Sequence, residues 1–181
     1  MSFQKDIICV IILLMKTETP NNHLIPNFYE KVKLGYLPET FLLALPITLL
    51  HKTLLAHSEN FYKEKYDLLK SEVDVLASLY VNDDELTPTQ LYDLTIFSSG
   101  GMTKMLKRLE SRAYVKRKAD KKDKRCMLVC LTPLGKELIK SSLFEAAKEY
   151  EAYFDVLSQS ESKELSRLLQ KLLYALPSEK A

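Results

Sequence analysis

Helix-starting signals recur along the second half of this chain, and their order restricts what it can fold into: Thr87-Pro88-Thr89-Gln90, Ser98-Ser99, Thr132-Pro133 and Ser158-Gln159-Ser160-Glu161. In the first, the Thr87 hydroxyl can cap, Pro88 takes a first helical position where no N–H is needed, and Gln90 sits where a capping box requires an amide or acid. The last signal is a capping box with Glu161 as its acid. Between the second and third signals lie two β-prone runs, residues 114–118 (Tyr-Val-Lys-Arg-Lys) and 125–131 (Arg-Cys-Met-Leu-Val-Cys-Leu), joined by the charged tip Asp120-Lys121-Lys122-Asp123-Lys124. A short helix ending near Thr95, a turn at Ile96-Phe97, a helix over 98–112 and then a β-hairpin make a winged helix-turn-helix. The expected fold class is mainly α with a small β-hairpin wing.

Apolar periodicity supplies the flanks. From Glu39 to about Lys65 the pattern is helical, with Phe41, Leu42, Leu45, Leu49, Leu50, Leu54 and Leu55; Pro46 should kink this helix or mark its start. A helix over about Lys70–Tyr80 carries Val73, Leu76 and Leu79, and Asn82-Asp83-Asp84-Glu85 reads as a polar break. Leu91 and Leu94 are expected to face inward from the short helix after it. After the wing, one helix should run to about Asp155. A last helix carries Leu165, Leu168, Leu169, Leu172, Leu173 and Leu176 and stops at Pro177. So much apolar helix beyond a minimal winged helix points to an intersubunit bundle. The expected organisation is an N-terminal arm and connector over 1–38, a dimerisation helix over 39–66, a winged helix-turn-helix over 67–132 and C-terminal dimerisation helices over 133–177. Residues 17–27, with Pro20 and Pro26 among Asn and His, read as extended connector. The apolar run Ile7–Met15 is too short to span a bilayer and has no small-x-small cleavage site after it, so it reads as a packed arm, and the protein as cytoplasmic without a membrane partner.

The helix over 98–112 divides cleanly. Met102, Met105, Leu106, Leu109 and Ala113 form an apolar stripe, while Gly100, Thr103, Lys104, Lys107, Arg108 and Ser111 form a polar face. Gly100 and Gly101 in its first turn each cost roughly 0.5–1 kcal/mol of helix stability against alanine, which implies close backbone approach there. Charge is uneven: residues 103–125 hold eleven Lys/Arg against three acids, net +8, while the rest of the chain is −6. Such asymmetry is the footprint of an anionic partner, and small residues followed by Thr and Lys suit a major groove. The competing reading is a winged-helix module whose basic wing meets an acidic protein. An interface of that kind would carry apolar anchors where this helix is polar.

Catalytic chemistry finds no support. No nucleophile–base pair, phosphate loop or paired carboxylates stand out, and no enzyme activity or cofactor is expected. Three cysteines (Cys9, Cys126, Cys130) form no disulfide framework and suit a reducing compartment. Cys126 and Cys130, placed on one strand with Leu128, read as packing residues. His23, His51 and His57 are scattered, so no metal site is expected.

The segment Ser98-Ser99-Gly100-Gly101-Met102-Thr103-Lys104-Met105-Leu106-Lys107-Arg108-Leu109-Glu110, followed by Asp120-x-x-Asp123-x-Arg125 and Val129-x-Leu131-Thr132-x-x-Gly135, resembles the MarR family of bacterial transcription regulators. The resemblance covers roughly residues 39–176 in helix order. It implies a homodimer with interlocked N- and C-terminal helices that binds duplex DNA and acts as a repressor. It places Ser98, Ser99, Gly100, Thr103 and Lys104 near bases and phosphates, with Lys107 and Arg108 farther along the helix. In the wing, Lys121, Lys122 and Lys124 would meet phosphates. Asp123 and Arg125 would pair, with Arg125 aimed into the minor groove. It further implies release by a small aromatic or phenolic effector, or by an oxidant acting on an N-terminal cysteine. Cys9 is the redox candidate, although its apolar neighbours oppose thiol reactivity. Ala113 departs from the pattern, standing where the family often has Gly.

Overall fold

The computed structural model describes residues 24–36, 38–95, 99–120 and 126–176, with the side chains of residues 24, 99 and 100 outside that description. The chain divides into two compact units, Met1–Val73 and Asp74–Ala181.

In the first unit, helix α1 (Leu24–Lys33) is followed by helix α2 (Phe41–Tyr66). α1 overturns part of the extended-connector reading, which ran through residue 27. Pro26 sits in its first turn, where the missing N–H costs nothing. Gly35 ends α1 in left-handed geometry (φ 74°), with its N–H donating to Val32 and the Tyr36 N–H reaching Lys31. Phe28 and Val32 of α1 bury against Leu45 of α2, flanked by Phe41, Leu42 and Leu49. α2 runs unbroken through Pro46. Leu43, Ile47 and Leu50 remain exposed on it, and by length and composition it could cross a membrane.

Helix α3 (Lys70–Val81) opens on a buried acid: the fully buried Glu72 carboxylate accepts the Leu69 N–H at 2.9 Å. Val75, Leu76 and Leu79 on this helix have no exposed surface. Asp83 and Asp84 then turn the chain through two consecutive left-handed residues (φ 57° and 68°) into strand β1 (Glu85–Leu86). The polar break was foreseen, but this short strand was not. Two residues carry no periodicity, and β1 exists because its partner strand offers a free edge.

Helix α4 (Pro88–Leu94) has the expected cap: Thr87 Oγ1 accepts from the Gln90 N–H at 3.1 Å, and Gln90 Oε1 accepts the Thr87 N–H at 2.9 Å. Leu91 is fully buried, but Leu94 is 56% exposed, so only one of the two leucines expected to face inward does so. Helix α5 (Ser99–Ser111) leads to strands β2 (Val115–Ala119) and β3 (Met127–Leu131). The antiparallel sheet has the order β1-β3-β2, with Val115 opposite Leu131 and Ala119 opposite Met127. Val115, Val129 and Leu131 are buried together with Leu86 on one sheet face.

Helix α6 (Pro133–Phe154) starts at a crowded junction. Thr132 donates its N–H to the Tyr114 carbonyl at 3.0 Å, and its hydroxyl donates to the Ala113 carbonyl at 2.6 Å while accepting the Gly135 N–H at 3.0 Å. A Cβ on Gly135 would stand 2.0 Å from the Tyr114 carbonyl oxygen. Helix α7 (Gln159–Tyr174) has the Ser158–Glu161 capping box and no buried residue; Leu172 and Leu173 are 52% and 64% exposed.

Gly135→Ala should therefore cost on the order of 2–4 kcal/mol, since neither backbone can yield without breaking the Thr132 cap. Urea denaturation should show the midpoint falling at an unchanged slope.

Candidate nucleic-acid interface

α5 is held by its apolar side. Met102, Met105, Leu106 and Leu109 are at most 9% exposed. Ala113, counted into that stripe from the sequence, lies beyond the helix and is exposed. On the opposite side Thr103, Lys104 and Lys107 are exposed, Arg108 is half-buried, and the Ser111 hydroxyl donates to the Arg108 carbonyl. No acid lies in the first turn of α5. The partial positive charge of the helix start is thus left uncancelled by its own side chains, an arrangement that favours anions. Ser99 and Gly100 fall in that first turn, and Ser98 lies outside the described residues.

The end of α5 sets the direction of the wing. The Tyr114 N–H donates to the Leu109 carbonyl at 3.0 Å and the Ala113 N–H to the Glu110 carbonyl at 2.9 Å. This pair of bonds is a Schellman motif with Ala113 as its left-handed residue, at φ 56°. The sharp turn persists without glycine, and alanine bears the steric cost. Arg112 stacks over the Tyr114 ring, its guanidinium carbon 5.0 Å from the ring centre.

β2 carries the basic run outward, and the Asp120 N–H closes the hairpin on the Cys126 carbonyl at 2.9 Å. Lys121, Lys122, Asp123, Lys124 and Arg125, and with them the expected Asp123–Arg125 pair, lie outside the described residues, as does Cys9. Arg117 and Lys118 of the basic segment are bound to carboxylates of the chain itself. Arg117 Nε donates to Glu110 Oε1 at 2.9 Å, tying β2 to α5, and Lys118 Nζ pairs with Glu85 of β1. The hydrogen bond from Lys118 to Glu85 holds its ammonium above the ordinary lysine value. Lys136 pairs likewise with Asp84, and its pKa is raised by that bond. Glu85 and Asp84 escaped the sequence reading because their partners lie 33 and 52 residues away. Charge counting along a chain carries no signal for such pairs.

The cysteines separate. Cys130 is buried, and burial pushes its thiol up, which suppresses the reactive thiolate. Cys126 is exposed and precedes β3. Its expected packing role is overturned, because the strand begins at Met127, two residues after the start of the expected 125–131 run.

Comparison with known proteins agrees with this geometry. The profile of the family described as transcriptional regulator SarA/Rot matches residues 58–142. The HTH-type transcriptional regulator SarZ of Staphylococcus aureus is 32% identical over 117 residues, 65% of this chain and 77% of SarZ. The chain belongs to the MarR/SarA family of winged-helix transcriptional regulators. A cysteine variant of MarR from E. coli superposes with a TM-score of 0.64 at 25% identity, over 72% of this chain and 96% of MarR. An organohalide-sensing transcriptional regulator in its 2,4-dichlorophenol-bound form superposes at 0.60 and 20% identity, covering 77% of this chain and 82% of that one. Within the MarR/SarA family, α4 and α5 of this chain are the helix-turn-helix, and β2 and β3 the wing.

Ala113→Gly should stabilise this regulator. Relief of the left-handed strain, about 1–2 kcal/mol, exceeds the added unfolded-chain entropy of about 0.4–1 kcal/mol. A thermal melt should rise by a few degrees, and a fall would mean that the Ala113 methyl packs favourably.

Proposed function

We propose that this protein is a cytoplasmic, sequence-specific DNA-binding repressor that reads a pseudo-palindromic operator as a homodimer. The observation that carries this reading is the exposed row Thr103, Lys104 and Lys107 on a helix whose other side is locked into the core. A rigid helix with an exposed polar face and no acid in its first turn can enter a major groove. Ser98, Ser99, Gly100, Thr103 and Lys104 approach bases and phosphates, and Lys107 and Arg108 neutralise phosphates farther along. From the wing, Lys121, Lys122 and Lys124 meet backbone phosphates, and Arg125, steadied by Asp123, enters the minor groove.

The dimer reading draws support from the apolar surface of α6, α7 and the link between them: Phe144, Val156, Leu172, Leu173 and Tyr174 are each more than half exposed. That is more apolar surface than a monomer ordinarily leaves to water. Together with α2 these helices form the intersubunit bundle, which gives the apolar side of α2 a protein partner in place of a bilayer. Paired recognition helices then stand about 34–36 Å apart, one helical turn of DNA. A small aromatic or phenolic effector releases the DNA by favouring the conformation with the wrong spacing. The family resemblance and the phenol-bound relative support that effector class.

Two outcomes are expected. In fluorescence anisotropy against DNA from upstream of its own gene, Lys104→Ala should weaken binding by about 1–3 kcal/mol and reduce the salt slope by about one. Equal loss on an unrelated duplex would reduce Lys104 to a phosphate contact, and no loss would remove it from the interface. In sedimentation velocity, Leu168→Glu with Leu172→Glu should convert the dimer to monomer. A dimer that survives both changes would move the interface away from α7.

A further inference from the structure

The outer face of the sheet carries a charge cluster that the DNA-binding reading leaves unused. Register places Glu85 opposite Cys130 and Cys130 opposite Lys116, so these three stand in one row across the strands. Lys118, two residues on from Lys116, shares that face toward the hairpin tip. Its ammonium pairs with the Glu85 carboxylate, whose Oε2 also lies 3.8 Å from the Cys130 sulfur. Side-chain exposure is 42% for Lys118 and 43% for Glu85, so water, salt and an incoming phosphate all have access to the pair. The Arg117–Glu110 pair differs in kind: Arg117 projects from the opposite face of β2, beside buried Val115, and braces the wing against α5.

We propose that Glu85 is an intramolecular competitor for a DNA phosphate at Lys118. In free protein the carboxylate holds the ammonium, and on DNA a phosphate oxygen replaces the carboxylate. Lys118 is thus a reserve contact whose engagement Glu85 opposes. Glu85 lies outside the basic segment, so the acid that moderates the wing comes from the short strand leading into α4. Lys116 on the same face has no such acid opposite it, only Cys130. The proposal rests on the reading that β2 meets the duplex.

Because exposed ion pairs resist rupture only weakly, the moderation is small and measurable: Glu85→Gln should tighten DNA binding about two- to fivefold. The test is fluorescence anisotropy of the full-length chain on a generic duplex over a salt series, for wild type, Glu85→Gln, Lys118→Gln and the double variant. Glu85→Gln is isosteric at an exposed rim, and a thermal melt of each variant checks folding. Lys118→Gln should weaken binding and lower the salt slope by about one. The decisive result is the double variant, which should bind like Lys118→Gln alone, with the gain from Glu85→Gln abolished. A gain that persists without Lys118 would mean simple removal of a negative charge near DNA and would overturn the proposal. So would an unchanged affinity for Glu85→Gln when Lys118→Gln weakens binding, and in that case the DNA-binding reading would stand. Wild type that binds no duplex even at low salt would overturn the DNA-binding reading itself, and the proposal with it.

Discussion

One backbone contact carries the geometry of the winged helix. The Tyr114 carbonyl, just past α5, accepts the Thr132 N–H and lies against the backbone of Gly135 at the start of α6. Thr132 is simultaneously the last residue before α6, a hydrogen-bond donor to the turn after α5, and the cap for the Gly135 N–H. The end of one helix, the end of the sheet and the start of another helix are therefore fixed at one point. The orientation of the wing relative to the α5 polar face follows from this junction, not from the wing's own two strands. A two-stranded hairpin alone has little stability in water.

Much of this was legible in the sequence where short-range chemistry decides. Thr87-Pro88-x-Gln90, Thr132-Pro133 and Ser158-x-x-Glu161 each became the cap their residues dictate, because a cap is settled within four residues. The burial of Met102, Met105, Leu106 and Leu109 followed from helical period. What escaped depends on partners distant in sequence. β1 is two residues long and exists only by pairing with β3. Leu94 looked like core by period, but a seven-residue helix ends before a second turn can be covered. α1 was hidden behind Pro26 and its Asn-rich approach, residues that signal loops more often than first turns.

The candidate site shows the same division. The row of Thr103, Lys104 and Lys107 was visible as a helical face, and the structure leaves it exposed. The electrostatics were only half visible. A count of charges assigns eleven cations to one segment, yet Arg117 and Lys118 already have carboxylate partners, one inside the segment and one far outside it. The usable charge of a surface is a property of the folded pairing.

Helix α7 has a complete capping box and a Glu164–Arg167 pair, but none of its sixteen residues is buried. Caps and one exposed pair stabilise so short a helix only marginally, since tertiary packing ordinarily supplies most of the stability. Its order is therefore borrowed from whatever covers its leucines. If a second copy does so, folding of the C-terminal region and association are a single equilibrium, and the unfolding midpoint depends on protein concentration. The abundance of such a regulator in the cell would then set both how many molecules there are and what fraction of them is fully folded.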